Sequence, residues 1–114
     1  DFIAFKNKKT FFAMTAHVVF TDLDHLNTAT HSSKIINLIR KKIGFQNIII
    51  SDDISMKGLK YSIKENTQRA LSAGCNLILH CNANYKEMRT VAENSPIIDK
   101  FIIQKTSQFY KFLG

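Results

Sequence analysis

The chain has 114 residues, enough for one domain with a hydrophobic core and too few for two. Its 45% hydrophobic and 22% charged residues exclude a disordered chain, and no apolar run approaches the roughly 20 residues of a membrane span, so no membrane partner is expected. The net charge of +7 comes mostly from scattered lysines without the grouped arginines and aromatics of base-reading motifs, so a nucleic-acid partner is not expected either.

The chain is predicted to open with a helix end and a strand. Residues 1–9 indicate the end of a helix. Residues 10–20 form an apolar stretch that predicts a buried strand, with the polar residues Thr15 and His17 toward its end. Residues 21–30 show no clear period, so we interpret them as a loop that leaves the carboxyl end of this strand.

A helix follows, because Ser32 and Ser33 are well suited to cap a helix N-terminus. One face of this helix would carry the apolar residues Ile35, Ile36, Leu38, Ile39 and Ile43. The outer face would carry the basic residues Lys34, Arg40, Lys41 and Lys42. Gly44 is placed to end the helix in the left-handed conformation.

Three consecutive isoleucines at residues 48–50 predict a strand buried on both faces, because they are too apolar for an exposed strand and too short for a helix. Asp52 and Asp53 follow almost at once. Two adjacent carboxylates there are costly to desolvate unless solvent, a partner or a ligand reaches them. Because α/β folds place their chemistry at this end of the strands, we select the pair as the candidate site.

The second half of the chain continues the alternation. A helix over residues 62–72 is expected to end at Gly74, and residues 76–81 predict a third apolar strand that ends in His80. We interpret Cys75 and Cys81 as buried thiols in a reducing compartment, rather than as a disulfide or a metal pair. With no export signal visible, the expected location is cytoplasmic.

Two helices complete the chain. Residues 85–93 predict a short helix, and Ser95 with Pro96 indicates the start of a last helix that runs to about residue 112. The side chains expected to face inward on this last helix are Ile98, Phe101, Ile102, Phe109 and Phe112.

The resulting strand–helix order predicts parallel strands with right-handed crossovers, because the strand centres lie about 30 residues apart, the length of a βαβ unit. His17, the pair Asp52 and Asp53, and His80 would all lie at the carboxyl ends of strands and therefore on one rim. A complete eight-stranded barrel takes about 250 residues. The fold is therefore either a small open sheet or part of a barrel.

Four segments carry a resemblance to a known family. They are Met-Thr-Ala-His-Val at residues 14–18, Leu-Ile-Arg at residues 38–40 ahead of Gly-Phe, Ile-Ser-Asp-Asp-Ile-Ser-Met at residues 50–56, and Ala-Gly-Cys-Asn-Leu-Ile-Leu at residues 73–79. In this order and at these spacings they resemble the family 3 glycoside hydrolases, and among them the bacterial β-N-acetylhexosaminidases of cell-wall recycling. The similarity covers about residues 1–82. A Ser-Asp-Asp triplet alone would not be specific, but the ordered set is.

The resemblance implies an α/β fold in which residues 1–114 form a single partial domain, the C-terminal part (about three βα units) of a TIM-type (β/α)8 barrel. It implies hydrolysis of terminal β-linked N-acetylglucosamine from peptidoglycan fragments by a retaining mechanism. The carboxylate after the strand's serine, here Asp52, would be the nucleophile. Asp53 would point elsewhere, because side chains alternate along a strand. His17 and Met56 would line the sugar pocket; the alternatives are a hydrogen-bonded histidine at the strand end and a methionine of the core.

This chain departs from the family pattern in places. The resemblance implies a general acid/base histidine in a Lys-His-Phe-Pro-Gly-His-Gly type of segment ahead of the first strand, and nothing here matches that segment. Asn27 and Asn76 stand where the family often has proline and aspartate.

The expected partners are therefore cell-wall fragments that contain N-acetylglucosamine, and the N-terminal half of the barrel. The alternative is a non-catalytic remnant or a small α/β module that binds sugars or acidic partners. No cofactor is expected. A metal site made of His17, Asp52 and Asp53 is not expected either, because their spacing matches no ligand motif.

Overall fold

The computed structural model describes residues 10–114, so the helix end predicted over residues 1–9 lies outside the described residues. Two short strands, β1 (Phe12–Met14) and β2 (Ile48–Ile50), alternate with helices. The helices are α1 (Ser33–Leu38), α2 (Ile63–Ala73), α3 (Tyr85–Glu93) and α4 (Lys100–Leu113). A 3₁₀ turn at Ala29–His31 precedes α1, and a π-helical turn at Ile39–Ile43 extends it. Within residues 10–114, no helix has the length and apolar character needed to cross a membrane.

The two strands pair in parallel, as the strand–helix order predicts. The register joins Phe12 to Ile48, Ala13 to Ile49 and Met14 to Ile50. Ile48 and Ile49 are each 1% exposed, which confirms that β2 is buried on both faces.

The third strand predicted over residues 76–81 is reduced to a single bridge between Ile50 and Leu77. Beyond Leu77 the main chain contacts the loop after β2 instead, where Ile54 donates its N–H to the oxygen of Leu79 at 2.8 Å. The apolar run is therefore extended and bonded, but it does not continue a regular ladder.

The prediction of a buried strand over residues 10–20 is wrong in its length and burial. After β1 the chain leaves β2 and bonds to the turn before α1. Ala29 donates its N–H to the oxygen of Val18 at 2.8 Å, and Thr30 donates to Ala16 at 3.3 Å. The exposed apolar side chains of this stretch are Phe12, Met14, Val18, Val19 and Phe20. Among the described residues, only β2 pairs with β1, and Val18, Val19 and Phe20 lie beyond the end of the strand.

The helices and the connecting loops pack a core against one face of the sheet. This core consists of Ile36, Phe45, Ile49, Ile54, Leu59, Ala70, Ala73, Cys75 and Val91. Ala13 of β1 packs against it, so alternate side chains of the strands face the core. On the opposite face, the Phe12 ring contacts Phe109 of α4, with their centroids 5.2 Å apart.

The last helix begins later than predicted, although α3 has the predicted bounds. Asp99 caps α4, because its Oδ1 accepts the N–H of Ile102 at 2.8 Å. Ser95 instead donates its hydroxyl to the oxygen of Val91 and closes the end of α3. Two side chains that were predicted to face inward are exposed: Ile98, which lies ahead of the helix, and Phe112, near its end.

Arg40 is half-buried, although an outer position was expected for it. It lies in the π-helical turn, and its guanidinium reaches the beginning of β2. Nη1 donates to the main-chain oxygens of Phe45 at 3.0 Å and Asn47 at 2.6 Å, and Nη2 donates to Oδ1 of Asn76 at 2.8 Å. Because Asn76 Oδ1 also accepts the N–H of Ile49 at 2.9 Å, Arg40 connects three segments of the chain.

The two cysteines are both free thiols, but only one is buried. Burial raises the pKa of the Cys75 thiol to about 11. Cys81 is exposed, so the prediction that both are buried is wrong. It lies past the bridge at Leu77, where the chain has already reached the rim.

Two helix-ending glycines have a positive φ, 77° at Gly44, as predicted, and 121° at Gly74. A Cβ at Gly44 would meet no atom within 4 Å, whereas a Cβ at Gly74 would lie 2.7 Å from Cγ2 of Ile36. We expect Gly44→Ala to lower the free energy of unfolding by about 1 kcal/mol through left-handed strain. Gly74→Ala should lower it by a further 1 to 3 kcal/mol, roughly, through overpacking. Urea denaturation compares the two variants, and equal losses would contradict the contact with Ile36.

Candidate active site

The loop after β2 is anchored at both ends to the segment after α2. Ser51 is fully buried, donates its N–H to the oxygen of Leu77 at 3.0 Å and accepts the N–H of Leu79 on its hydroxyl at 3.0 Å. Ile54, at the other end, is also fully buried and bonds to Leu79. The two aspartates between these anchors therefore lie on a loop with little freedom.

Asp52 is half-buried at this rim. Its Oδ1 accepts the N–H of Asp53 at 2.8 Å, which sets the direction of the carboxylate. Within residues 10–114, no group donates a hydrogen bond to Oδ2. The carboxylate therefore has one oxygen held by its own loop and the other free to contact a bound molecule.

The carboxylate of Asp53 accepts hydrogen bonds from its own loop and from Cys81. Its Oδ1 accepts the N–H of Ser55 at 3.0 Å, the hydroxyl of Ser55 at 2.8 Å and the N–H of Cys81 at 3.0 Å. Burial raises the pKa of the Asp53 carboxyl, but these hydrogen bonds outweigh burial, and the pKa lies below its ordinary value. Asp53 therefore joins two loops as an ionised hydrogen-bond acceptor.

His17 lies against the same loop and uses both ring nitrogens. Nδ1 is 2.8 Å from Oγ1 of Thr30, and Nε2 is 2.7 Å from the main-chain oxygen of Asp53. The structure thus brings His17 and the two aspartates together at one rim. In the part of the chain from residue 10 onward, no three His, Cys, Asp or Glu side chains are grouped so that they could hold a metal ion.

Met56 lies on the same loop and is 47% exposed. Its N–H donates to the main-chain oxygen of Asp53 at 3.1 Å, so this oxygen accepts from both Met56 and His17. Gly58 packs against the histidine, because a Cβ at this position would lie 3.1 Å from Cβ of His17. The loop therefore passes close to the main chain and Cβ of His17.

His80 lies at the rim, but it bonds to α3. Its Nε2 is 3.0 Å from Oε1 of Glu87, and the same oxygen accepts from Nδ2 of Asn82 at 2.9 Å. Nδ1 of His80 is buried without a hydrogen-bond partner among the described residues. His80 thus ties the rim loop to the start of α3, next to the bond between Cys81 and Asp53.

Asp24 organises the loop between β1 and α1, and our sequence reasoning did not select it. It accepts the Ser32 hydroxyl at 2.6 Å and the N–H groups of Leu26 at 3.1 Å and Asn27 at 3.2 Å. The hydrogen bond from Ser32 is the main reason that the pKa of Asp24 falls to about 2. The available signal was an aspartate two and three residues ahead of free N–H groups, the pattern of an Asx turn. Asn27 stands where the family often has proline, and a proline there would have no N–H to donate to Asp24.

The fold and the rim define a class of protein. Parallel strands joined by helices place a carboxylate and a histidine beyond the strand ends, which is where α/β barrel enzymes carry their active sites. The family described as the glycosyl hydrolase family 3 N terminal domain matches residues 4–108. The chain therefore belongs to glycosyl hydrolase family 3, which confirms the resemblance seen in the sequence.

Curated relatives agree with this assignment. The beta-hexosaminidase of Haemophilus influenzae strain PittEE is 34% identical over 90 residues, which are 73% of this chain and 26% of that protein. The beta-hexosaminidase of Actinobacillus succinogenes is 38% identical over 71 residues, or 60% of this chain and 20% of that protein. The chain thus spans only about a fifth to a quarter of the length of these relatives.

Solved structures give the same result for the fold. A family 3 β-N-acetylglucosaminidase from Paenibacillus sp. str. FPU-7 matches with a TM-score of 0.70 at 27% identity, over 75% of this chain and 17% of that one. The β-N-acetylglucosaminidase from Thermotoga maritima matches with a TM-score of 0.61 at 30% identity, over 90% of this chain and 24% of that one. In these neighbours the domain is a TIM-type barrel.

Proposed function

We propose that this chain supplies the nucleophile for the hydrolysis of terminal β-linked N-acetylglucosamine from peptidoglycan fragments. The contrast between the two neighbouring aspartates carries the proposal. Asp53 accepts three hydrogen bonds on Oδ1, and the Ser55 hydroxyl also lies 2.9 Å from its Oδ2, whereas Oδ2 of Asp52 accepts none from residues 10–114. The substrate class is supported by the names of the relatives, which are beta-hexosaminidases and β-N-acetylglucosaminidases.

The reaction follows from the carboxylate. The free oxygen of Asp52 attacks the anomeric carbon of the sugar while the bond from that carbon to the leaving oxygen breaks. An acid from outside residues 10–114 protonates the leaving oxygen. Water, deprotonated by the same group, then attacks the anomeric carbon, the bond from that carbon to Asp52 breaks, and the sugar leaves with retained configuration. His17 and Met56 both bond to the main-chain oxygen of Asp53 at the rim, where they would line the sugar pocket.

In this proposal the acid/base group lies in a part of the barrel outside residues 1–114. Residues 1–114 would form a single partial domain of about three βα units. The edge of β1 supports this part of the proposal. Phe11 and Thr15 bond to β2 through their main-chain groups, so the groups of Phe12 and Met14 point to the opposite edge. A parallel strand from the N-terminal half would pair there and cover the exposed side chains of β1.

A hybrid enzyme tests the proposal directly. This chain replaces the matching segment of the Haemophilus influenzae beta-hexosaminidase, and a second sample mixes this chain with the N-terminal part of that protein. Both are assayed by release of 4-nitrophenol from its N-acetyl-β-glucosaminide and of N-acetylglucosamine from peptidoglycan fragments. We expect hydrolysis in both samples, and none from either part alone.

The control is the intact relative, assayed in parallel. A hybrid that melts cooperatively but does not cleave either substrate would overturn the proposal. Tight, salt-sensitive binding of the isolated chain to an anionic polymer, with no hydrolysis by the hybrid, would favour the non-catalytic module instead.

A cytoplasmic location is part of the same proposal, and the two free thiols support it.

A further inference from the structure

We propose that His17 is a positioning residue that holds the loop of Asp52 through a single ring tautomer, with the proton of the neutral ring on Nε2. The inference rests on the proposed function only in treating Asp52 as the nucleophile. The hydrogen bonds themselves are independent of what the loop does.

The partners of the ring decide the tautomer. Nε2 lies 2.7 Å from the main-chain oxygen of Asp53, and a carbonyl oxygen can only accept, so Nε2 must donate. In a neutral imidazole the other nitrogen is then an acceptor. Nδ1 therefore accepts from the hydroxyl of Thr30 at 2.8 Å, and Thr30 Oγ1 accepts in turn from the hydroxyl of Thr15 at 2.8 Å.

Thr30 also allows the His17 ring to carry a second proton, on Nδ1, and still hold the loop. Its hydroxyl oxygen lies 3.1 Å from the main-chain oxygen of Ala16. When Nδ1 of His17 is protonated, it donates to the Thr30 oxygen, and the Thr30 hydroxyl turns to donate to Ala16. Because Thr30 is fully buried, water does not compete for these positions. The bond from Nε2 to Asp53 is kept in both charge states.

The result is a fixed main chain on both sides of Asp53. Its oxygen is held by His17 and Met56, while its N–H is held by Oδ1 of Asp52. Gly58 lies so close to the main chain and Cβ of His17 that a Cβ at this position would be 3.1 Å from the Cβ of the histidine. With both nitrogens engaged, His17 has no polar atom left for a sugar hydroxyl, and it would touch a sugar through its ring carbons.

The test is ¹⁵N NMR on the full chain labelled at histidine, in solution or, for associated material, in the solid state. We expect the neutral His17 ring to show a directly bonded proton on Nε2 and an unprotonated Nδ1. A proton on Nδ1, or a signal averaged between the two tautomers, would overturn the proposal. Thr30→Ser keeps the hydroxyl and should preserve the spectrum, whereas Thr30→Val removes it and should shift the Nδ1 signal.

Amide hydrogen exchange on the same chain reports on the loop. Replacing His17 with leucine should speed exchange at the N–H of Met56 by about tenfold or more. This N–H donates to the main-chain oxygen of Asp53, and without His17 that oxygen is no longer held in place. His17→Gln restores a donor near Asp53 and should recover much of the protection. His25→Leu, at an exposed histidine, is the control and should change nothing.

Unchanged exchange in His17→Leu would contradict the positioning role. Failure of the hybrid enzyme to hydrolyse sugar would contradict the proposed function instead, and it would leave both spectroscopic results as they stand.

Discussion

Replacing Asp52 with asparagine is expected to lower kcat/KM of the hybrid enzyme by roughly 10,000-fold or more, because the covalent step loses its nucleophile. Asparagine has nearly the same shape, so the hydrogen bond from the N–H of Asp53 can persist and the loop should keep its structure. The measurement is the steady-state hydrolysis of the aryl N-acetyl-β-glucosaminide. The melting temperature of the variant is recorded alongside.

Two controls separate the loss of the nucleophile from a change in fold. Asp22→Asn removes a carboxylate from an exposed loop position and should leave kcat/KM within a factor of about two. A 5-fluorinated N-acetylglucosaminyl fluoride should trap the covalent intermediate, and the added mass should lie on Asp52. A label on Asp53, or a loss below tenfold in Asp52→Asn, would refute the assignment.

Replacing Arg40 with methionine is expected to lower the free energy of unfolding by about 2 to 4 kcal/mol, because three acceptors lose the guanidinium and only Asn76 Oδ1 keeps a second donor, the N–H of Ile49. Two of these acceptors are the main-chain oxygens of Phe45 and Asn47, and the third is the side chain of Asn76. Methionine keeps much of the aliphatic volume, so the loss reports on the guanidinium, through its hydrogen bonds and its position over the rings of Phe45 and Phe101. Urea denaturation of the full chain, followed by circular dichroism, measures it.

Arg89→Met is the matched control, because it removes the same group from an exposed position. Arg89 pairs with Glu93 one helical turn away at 2.7 Å, and both side chains are mostly exposed. Such a pair contributes about 0.5 kcal/mol or less. If the two arginine variants lose equal stability, the bonds of Arg40 do not join the three segments as the structure indicates.

The strand at Ile48–Ile50 and the aspartates after it were predictable from sequence, because a buried apolar run followed by carboxylates is a local pattern. The bounds of α3 and the left-handed Gly44 were predictable for the same reason. The length of β1 was not. Its apolar side chains indicate burial, but whether they are buried depends on what lies beside them, and no local period carries that information.

The side-chain contacts of the site were also beyond sequence reasoning. His17 bonds to Asp53 across 36 positions and to Thr30 across 13, and neither spacing belongs to a helix or a turn. Arg40 was placed outside because a regular helix would put it with its lysine neighbours, and the π-helical turn changed that phase. The distance between such partners follows from the tertiary fold, which single-sequence patterns do not contain.

The bond from Cys81 to the carboxylate of Asp53 has a consequence for how such a rim can evolve. It makes the loop after β2 and the loop before α3 one mechanical unit, so a substitution in either loop is transmitted to the other. Mutations at this rim should therefore show epistasis between the two loops. A change of specificity in one loop would have to be accompanied by an adjustment in the other, and random variants that alter only one of them should rarely keep full activity.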